Sequence, residues 1–398
     1  MINIAGIMSI GVPVLIFLLI LGLVVFVHEL GHFIMARRAG IFVEEFAMGM
    51  GPKLLTFKGK KKSLSPIEGQ ENVTLYTLRA LPLGGFCKMR GMEENVPEDT
   101  EAFSNKSVFS RFLVIAGGSA MNFLLAVLMF SILIFLTGYY TPIVTNVAQG
   151  MPAQQAGLQI GDRITHINGS RVSLWENFRF MLDTSGGSTM NVRVNRDGQR
   201  VNLSITPEMG TDGVFRIGMN PTSRVGFLDR NHQYAATLER AGIVGSIGTA
   251  IDMIGFHIRA PFRILSRFVT RQPVPEGAEV VSIIGIGAQV TEIYQYTMAQ
   301  EEYAIRSTVI TMLFLAALIS VAIGTMNLLP IPALDGARLV FLIIEGIRRK
   351  PVSPEREGMV HMVGFVLLIV LLLFVAYRDI ANLVAGSTDV VPYYQEAP

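Results

Sequence analysis

The sequence is short of charge and nearly without cysteine. Of its 398 residues only 16% are Asp, Glu, Lys or Arg, and the net charge is +2, so no global field draws nucleic acid to it. A lone cysteine, Cys87, excludes an intrachain disulfide and reads as a small packed residue. The 51% apolar content and mean hydropathy of +0.46 exceed what an ordinary soluble chain carries. Charge is missing from four long runs, 7–27, 112–138, 309–329 and 359–376, each close to the roughly 20 apolar residues a spanning helix needs. The first run has no small-residue cleavage site and leads straight into a charged motif, so it reads as a retained helix.

What charge there is sits unevenly. Lysine and arginine crowd the stretch between the first two runs, from Arg37 to Arg111, and the short loop from Arg348 to Arg356, which places both on the cytoplasmic side. The tail after the fourth run has Arg378 as its one basic residue. That tail and the long segment between runs two and three fall outside by alternation.

The fold class expected is a polytopic α-helical membrane protein with four transmembrane helices, an inserted β-rich domain and a membrane-associated β-loop. Residues 1–38 hold the first helix and 39–111 the β-loop region, where 43–89 is rich in glycine and β-formers. Such a loop either dips back at membrane depth, with its backbone paired, or forms a small cytoplasmic hairpin. Residues 112–138 form the second helix. From 139 to 222 the composition is that of a compact domain, with an Asn168-Gly169 turn and two alternating runs, 190–195 and 200–205, flanking Asp197-Gly198 as a hairpin. Residues 223–304 form an amphipathic helical region and a linker. Arg259, Arg263 and Arg267 there suit either a lipid surface or packing beneath the domain. Residues 305–336 carry the third helix, and 337–398 a loop, the fourth helix and a tail.

The chemistry concentrates at two places. In His28-Glu29-Leu30-Gly31-His32 the imidazoles lie four residues apart on one helical face, so both reach one ion while Glu29 projects beside them. Ionisable groups are costly in lipid unless function requires them, which favours a zinc site over a satisfied helix-end pair. A third ligand is required, and Asp335 follows the helix-breaking Pro330 and Pro332 at the end of the third run. A turn or cap before Gly336 is its bland alternative. The remaining histidines, His166, His232, His257 and His361, read as surface or packing residues.

His28-Glu29-x-x-His32-Phe33, Gly49-Met50-Gly51-Pro52-Lys53, Leu83-Gly84-Gly85 and Asn327-x-x-Pro330-x-Pro332-x-x-Asp335-Gly336 together resemble the bacterial site-2 proteases of the regulator-of-sigma-E type. Residues 139–222, with Ala156-Gly157-Leu158 and Gly161-Asp162, resemble a single PDZ domain, which implies capture of a peptide or C-terminus by strand addition. The resemblance implies zinc at His28, His32 and Asp335, with Glu29 as general base. It also implies substrate binding by Asn327, Pro330, Pro332, Gly49 and Gly51, although Asn327 has a second use in satisfying backbone freed by Pro330. The partners implied are transmembrane protein substrates, such as pre-cleaved anti-sigma factors or remnant signal peptides, within the bilayer of a bacterial inner membrane. The domain would then be extracytoplasmic and the metal toward the cytoplasm. Two departures stand out: residues 282–286 lack an expected Gly-Pro step, and Ala337 follows Gly336 where a second glycine is expected. A membrane scaffold has no use for Glu29, and a metal transporter would spread polar residues along several runs.

Overall fold

A computed structural model describes residues 4–64, 72–92, 96, 98–210, 215–219, 238–269, 282–299 and 304–385. The elements in chain order begin with α1 (Ile4–Arg38), β1 (Val43–Lys62), β2 (Val73–Met89), a 3-10 turn (Phe103–Asn105), α2 (Val108–Thr137), β3 (Tyr139–Tyr140) and α3 (Pro152–Gln155). They continue with β4 (Arg163–Ile167), β5 (Ser170–Arg171), α4 (Trp175–Asp183), β6 (Met190–Arg196), β7 (Gln199–Ile205), β8 (Glu208–Met209), β9 (Phe215–Arg216) and β10 (Leu238–Glu239). The chain then runs through α5 (Ile243–Val269), α6 (Ile283–Met298), α7 (Ala304–Leu328), α8 (Asp335–Arg348) and α9 (Pro354–Ala385). The contacts divide into two units, one of residues 1–126, 281–308 and 315–386, the other of 127–280, 309–314 and 387–398.

Among the described residues four helices are long and apolar enough to cross a membrane: Ile10–Arg38, Val108–Thr137, Ala304–Leu328 and Arg356–Ala385. They match the four apolar runs. On α1 the buried face carries Phe17, Ile20, Leu21 and Val24, yet Ile10, Leu15 and Leu19 are exposed on the other. Apolar residues on every face are what lipid, rather than water, requires of a helix surface. The third span stops at Leu328, because Pro330 and Pro332 cannot continue the ladder, and Asp335 opens the separate helix α8. So the expected third segment, 305–336, holds a helix, a break and the first residues of the next helix.

In the first unit β1 and β2 each bend, giving four ribs. Residues 43–48 pair antiparallel with 85–89 on one side, while the pairs Glu45–Leu75 to Met48–Leu78 advance in parallel on the other. Residues 53–58 close the far edge against 75–79. The sheet packs on α1 through Phe46, whose ring meets Phe26 and Phe33 edge-on at 5.9 and 5.2 Å. Cys87 is buried in this core, as expected, and burial pushes its thiol up.

The second unit holds an antiparallel sheet of order β5-β4-β6-β7. Met190, Val192 and Val194 alternate inward along β6 and pack with Ile164, Ile167, Phe178 and Ile205. Asn168-Gly169 and Asp197-Gly198 both take positive φ, so both expected turns are present. Helix α5 is unbroken at Pro261. Its Phe256 ring stands edge-on against Phe180 of α4 at 5.1 Å, and Arg263 donates to Ser170 Oγ at 2.8 Å. Packing against the sheet domain is therefore the use made of that face, while Ile243, Ile247 and Ile251 remain exposed. The stretch 273–279, expected as a linker, and His232 lie outside the described residues. Helix α6, which the sequence pattern did not reveal, is capped where the Gly-Pro step was expected: Ser282 Oγ accepts from Gly285 N–H.

Candidate active site

His28 and His32 belong to a helix that must approach another closely. Gly31 of α1 and Gly117 of α2 meet backbone to backbone, and a side chain at either would strike the other's carbonyl. One residue on, Gly118 faces His32 and His28, and a Cβ there would collide with both rings. The bare surface of α2 is what leaves room for two imidazoles.

Those imidazoles converge with the carboxylate of Asp335. His28 Nε2, His32 Nε2 and Asp335 Oδ2 are 3.2 Å from one another on every side of the triangle. Three ligands of a tetrahedral ion at about 2.0–2.1 Å stand about 3.3–3.4 Å apart, so this donor set fits zinc. His28 and His32 are 7% and 6% exposed. Burial alone would raise the Asp335 pKa, but hydrogen bonding to His28 and His32 in their protonated form holds its carboxyl well below the usual carboxylate range. The backbone before it is unusual. Ala333 has φ +77°, and its N–H donates to His361 Nδ1 of α9 at 3.1 Å. His361 is thus more than the packing residue expected. A side chain at Gly336 would strike the Leu329 carbonyl, whereas Ala337 packs in the core, so only the first of the two positions needs glycine.

A cavity of about 330 Å³ opens beside the triangle, lined by Glu29, Gly84, Gly85, Phe86, Cys87, Asn327 and Arg338 as well as the three donors. Glu29 is held against the backbone N–H of Cys87, and its Cγ lies 3.2 Å from where a Cβ on Gly85 would stand. Asn327 is on the lining as expected. Pro330 and Pro332 are not on it; Pro332 packs against Gly364 of α9. Gly49 and Gly51 sit at the bend of β1 with φ +81° and +83°, facing Leu81 and off the cavity wall. The glycines beside the cavity are Gly84 and Gly85.

The profile of peptidase family M50 matches residues 16–371, spanning both motifs and everything between them. The chain belongs to this family. Zinc metalloprotease RasP of Bacillus licheniformis is 30% identical, over 93% of this chain and 99% of its own length. The RasP of Geobacillus kaustophilus is 28% identical over 92% and 96%. A Clostridium acetobutylicum protein described as a candidate zinc metalloprotease is 30% identical over 92% and 97%. The M50 chain is therefore a metalloprotease with zinc as its metal, and its apolar helices make it a membrane protein.

One residue beside the donor triangle was not singled out by the sequence pattern. Asn122, wholly buried on α2, places Nδ2 3.3 Å from His28 Nδ1. Its signal was present: an amide inside an apolar run is costly unless it has a partner.

Proposed function

We propose that this metalloprotease hydrolyses peptide bonds within transmembrane segments of single-span membrane proteins. His28, His32 and Asp335 would hold zinc, and Glu29 would act as the general base. The observation that carries the reading is the 3.2 Å triangle of donors. Two of them lie on a membrane-length helix with Glu29 one residue away at the cavity wall. When bound, zinc lowers the pKa of water and polarises a carbonyl. Glu29 takes the proton of the attacking water and returns it to the leaving amine. Asn327, also on the cavity lining, would donate its amide to the scissile segment.

A helical substrate has its amides occupied, so it must unwind before cleavage. The rib 85–89 has 43–48 on one side, and its Gly85, Phe86, Cys87 and Met89 line the cavity together with Gly84 just before it. A freed strand pairing there would regain the hydrogen bonds it lost. This moves the substrate edge from Gly49 and Gly51 to Gly84 and Gly85. The β-rich domain, read as a PDZ domain, would bind a peptide or C-terminus on the extracytoplasmic side, with the metal toward the cytoplasmic face of a bacterial inner membrane. Membrane-tethered regulators already shortened by another protease, or remnant signal peptides, have the required single span.

Cleavage of a tagged single-span substrate by purified protein, by Glu29→Gln and by chelator-treated protein tests this. Wild type alone should cut, and within the apolar segment. Equal cutting by Glu29→Gln would remove Glu29 from its role.

A further inference from the structure

Helix α2 gives one stripe, spaced four residues apart, to the two imidazoles. The Val114 carbonyl lies 2.9 Å from His32 Nδ1. Gly118 leaves space for both rings, and Asn122 reaches His28 Nδ1 at 3.3 Å. At His32 the tautomer is settled by its partner. A carbonyl only accepts, so Nδ1 carries the proton and Nε2 keeps its lone pair for the triangle.

His28 needs the same arrangement. Its Nε2 points to His32 Nε2 and Asp335 Oδ2, both at 3.2 Å. For Nε2 to ligate, a neutral His28 must carry its proton on Nδ1 and must meet an acceptor there. Asn122 is the residue within reach, it is 0% exposed, and its Oδ1 has no hydrogen-bond partner among the described residues. The two ends of an amide are alike in shape, and a half turn about Cβ–Cγ exchanges them. It would bring that acceptor onto His28 Nδ1–H, the partner that a ligating Nε2 requires on the other ring nitrogen.

We propose that Asn122 is a positioning residue that holds His28 in the tautomer whose Nε2 binds zinc, by accepting from Nδ1–H through Oδ1. It rests on the reading of His28, His32 and Asp335 as the zinc site and adds a role for α2. The backbone at this point is itself anchored, since Ser320 Oγ of α7 donates to the Asn122 carbonyl at 2.8 Å. The amide is thus set in place from a second helix.

Zinc affinity, measured on full-length protein in detergent by competition with a chromogenic chelator, tests the role without relying on turnover. Asn122→Leu keeps the volume and removes the acceptor; Asn122→Asp keeps the acceptor. Leucine should weaken zinc binding tenfold or more, in line with losses of about 10–100-fold for partners of metal-bound histidines. Aspartate should stay within threefold of wild type. If Asn122→Leu fails to fold, Asn122→Ser, too short to reach Nδ1, replaces it and should show the same loss. A loss below tenfold in the acceptor-free variant overturns the proposal. So does an equal loss in Asn122→Asp, which would mark a packing role. His28→Ala and Asp335→Ala run alongside, and if they bind zinc as wild type does, the site assignment itself fails, whatever Asn122 does.

Discussion

Arg111 grips Glu345 with both ends of its guanidinium, Nη1 to Oε2 at 3.1 Å and Nη2 to Oε1 at 2.5 Å, while its Nε donates to the Lys106 carbonyl. The pair ties the start of α2 to the end of α8, the helix that Asp335 begins. Its side chains are 13% and 15% exposed. Removing one partner leaves the other charge uncompensated, so Arg111→Met should cost about 3 kcal/mol. Thermal unfolding of the purified protein, read against the double variant with Glu345→Leu, checks this. The double variant should recover part of the loss.

Glu29→Gln separates chemistry from binding. It should lower the cleavage rate by about 10²–10⁴-fold while leaving zinc content at the wild-type level, since Glu29 stands beside the donor triangle without belonging to it. Metal analysis and a single-turnover assay on the same preparation give both readings. Loss of zinc together with rate would mean that the carboxylate supports the site rather than acting as base.

Gly118→Ala adds one methyl group where both imidazoles lie. The obstacle is the donor pair itself, so zinc binding should fall by at least tenfold. A small residue is required at Gly118 because of the rings, and at Gly117 because of the Gly31 backbone. Gly117→Ala should accordingly lower the unfolding temperature, as it forces α1 and α2 apart.

His257 on α5 predicts a pH dependence away from the active site. It stacks on Phe130 at 6.3 Å and meets Phe256 edge-on at 5.2 Å, and burial pushes its pKa down to about 4 from 6.5. The unfolded chain therefore takes up a proton that the folded chain refuses. Stability from this residue is intact above pH 6.5 and falls as the pH drops toward 4, by at most about 3 kcal/mol. His257→Phe should flatten the unfolding temperature across that window. An unchanged acid slope in the variant would assign the effect elsewhere.

Ala333 holds a left-handed conformation at φ +77°. Ala333→Gly should remove about 1 kcal/mol of backbone strain, raising the unfolding temperature slightly. The freer unfolded chain of the glycine variant opposes this by about 0.4–1 kcal/mol, so an unchanged or lower value would mean that this entropy equals or exceeds the strain released, since the backbone contact to His361 is kept in both.

The sequence disclosed what local spacing can disclose. The i, i+4 histidines, the apolar runs and the Asn-Gly and Asp-Gly turns each carry their geometry in a few neighbouring letters, and the structure has them in place. The break at Pro330 was legible as well, but that Asp335 would start a helix of its own was not, because 337–348 read as a loop beside strong apolar runs. The β-loop hid more. Its glycines look alike in the sequence, and only the folded loop shows that Gly84 and Gly85 rather than Gly49 and Gly51 reach the cavity. Asn122 was passed over because the argument for it lies across a helix interface, 94 residues from His28.

His28 and Asp335 are separated by 307 positions in the chain. An ion shared between them would be a removable cross-link that closes most of the polypeptide into one loop. By the chain-entropy relation used for disulfides, a closure of that length is worth about 6 kcal/mol. The metal would then serve as a fastener between the first and last parts of the molecule, and the state of its charge with zinc would set how readily the ends of the protein part in the bilayer and become open to other proteases.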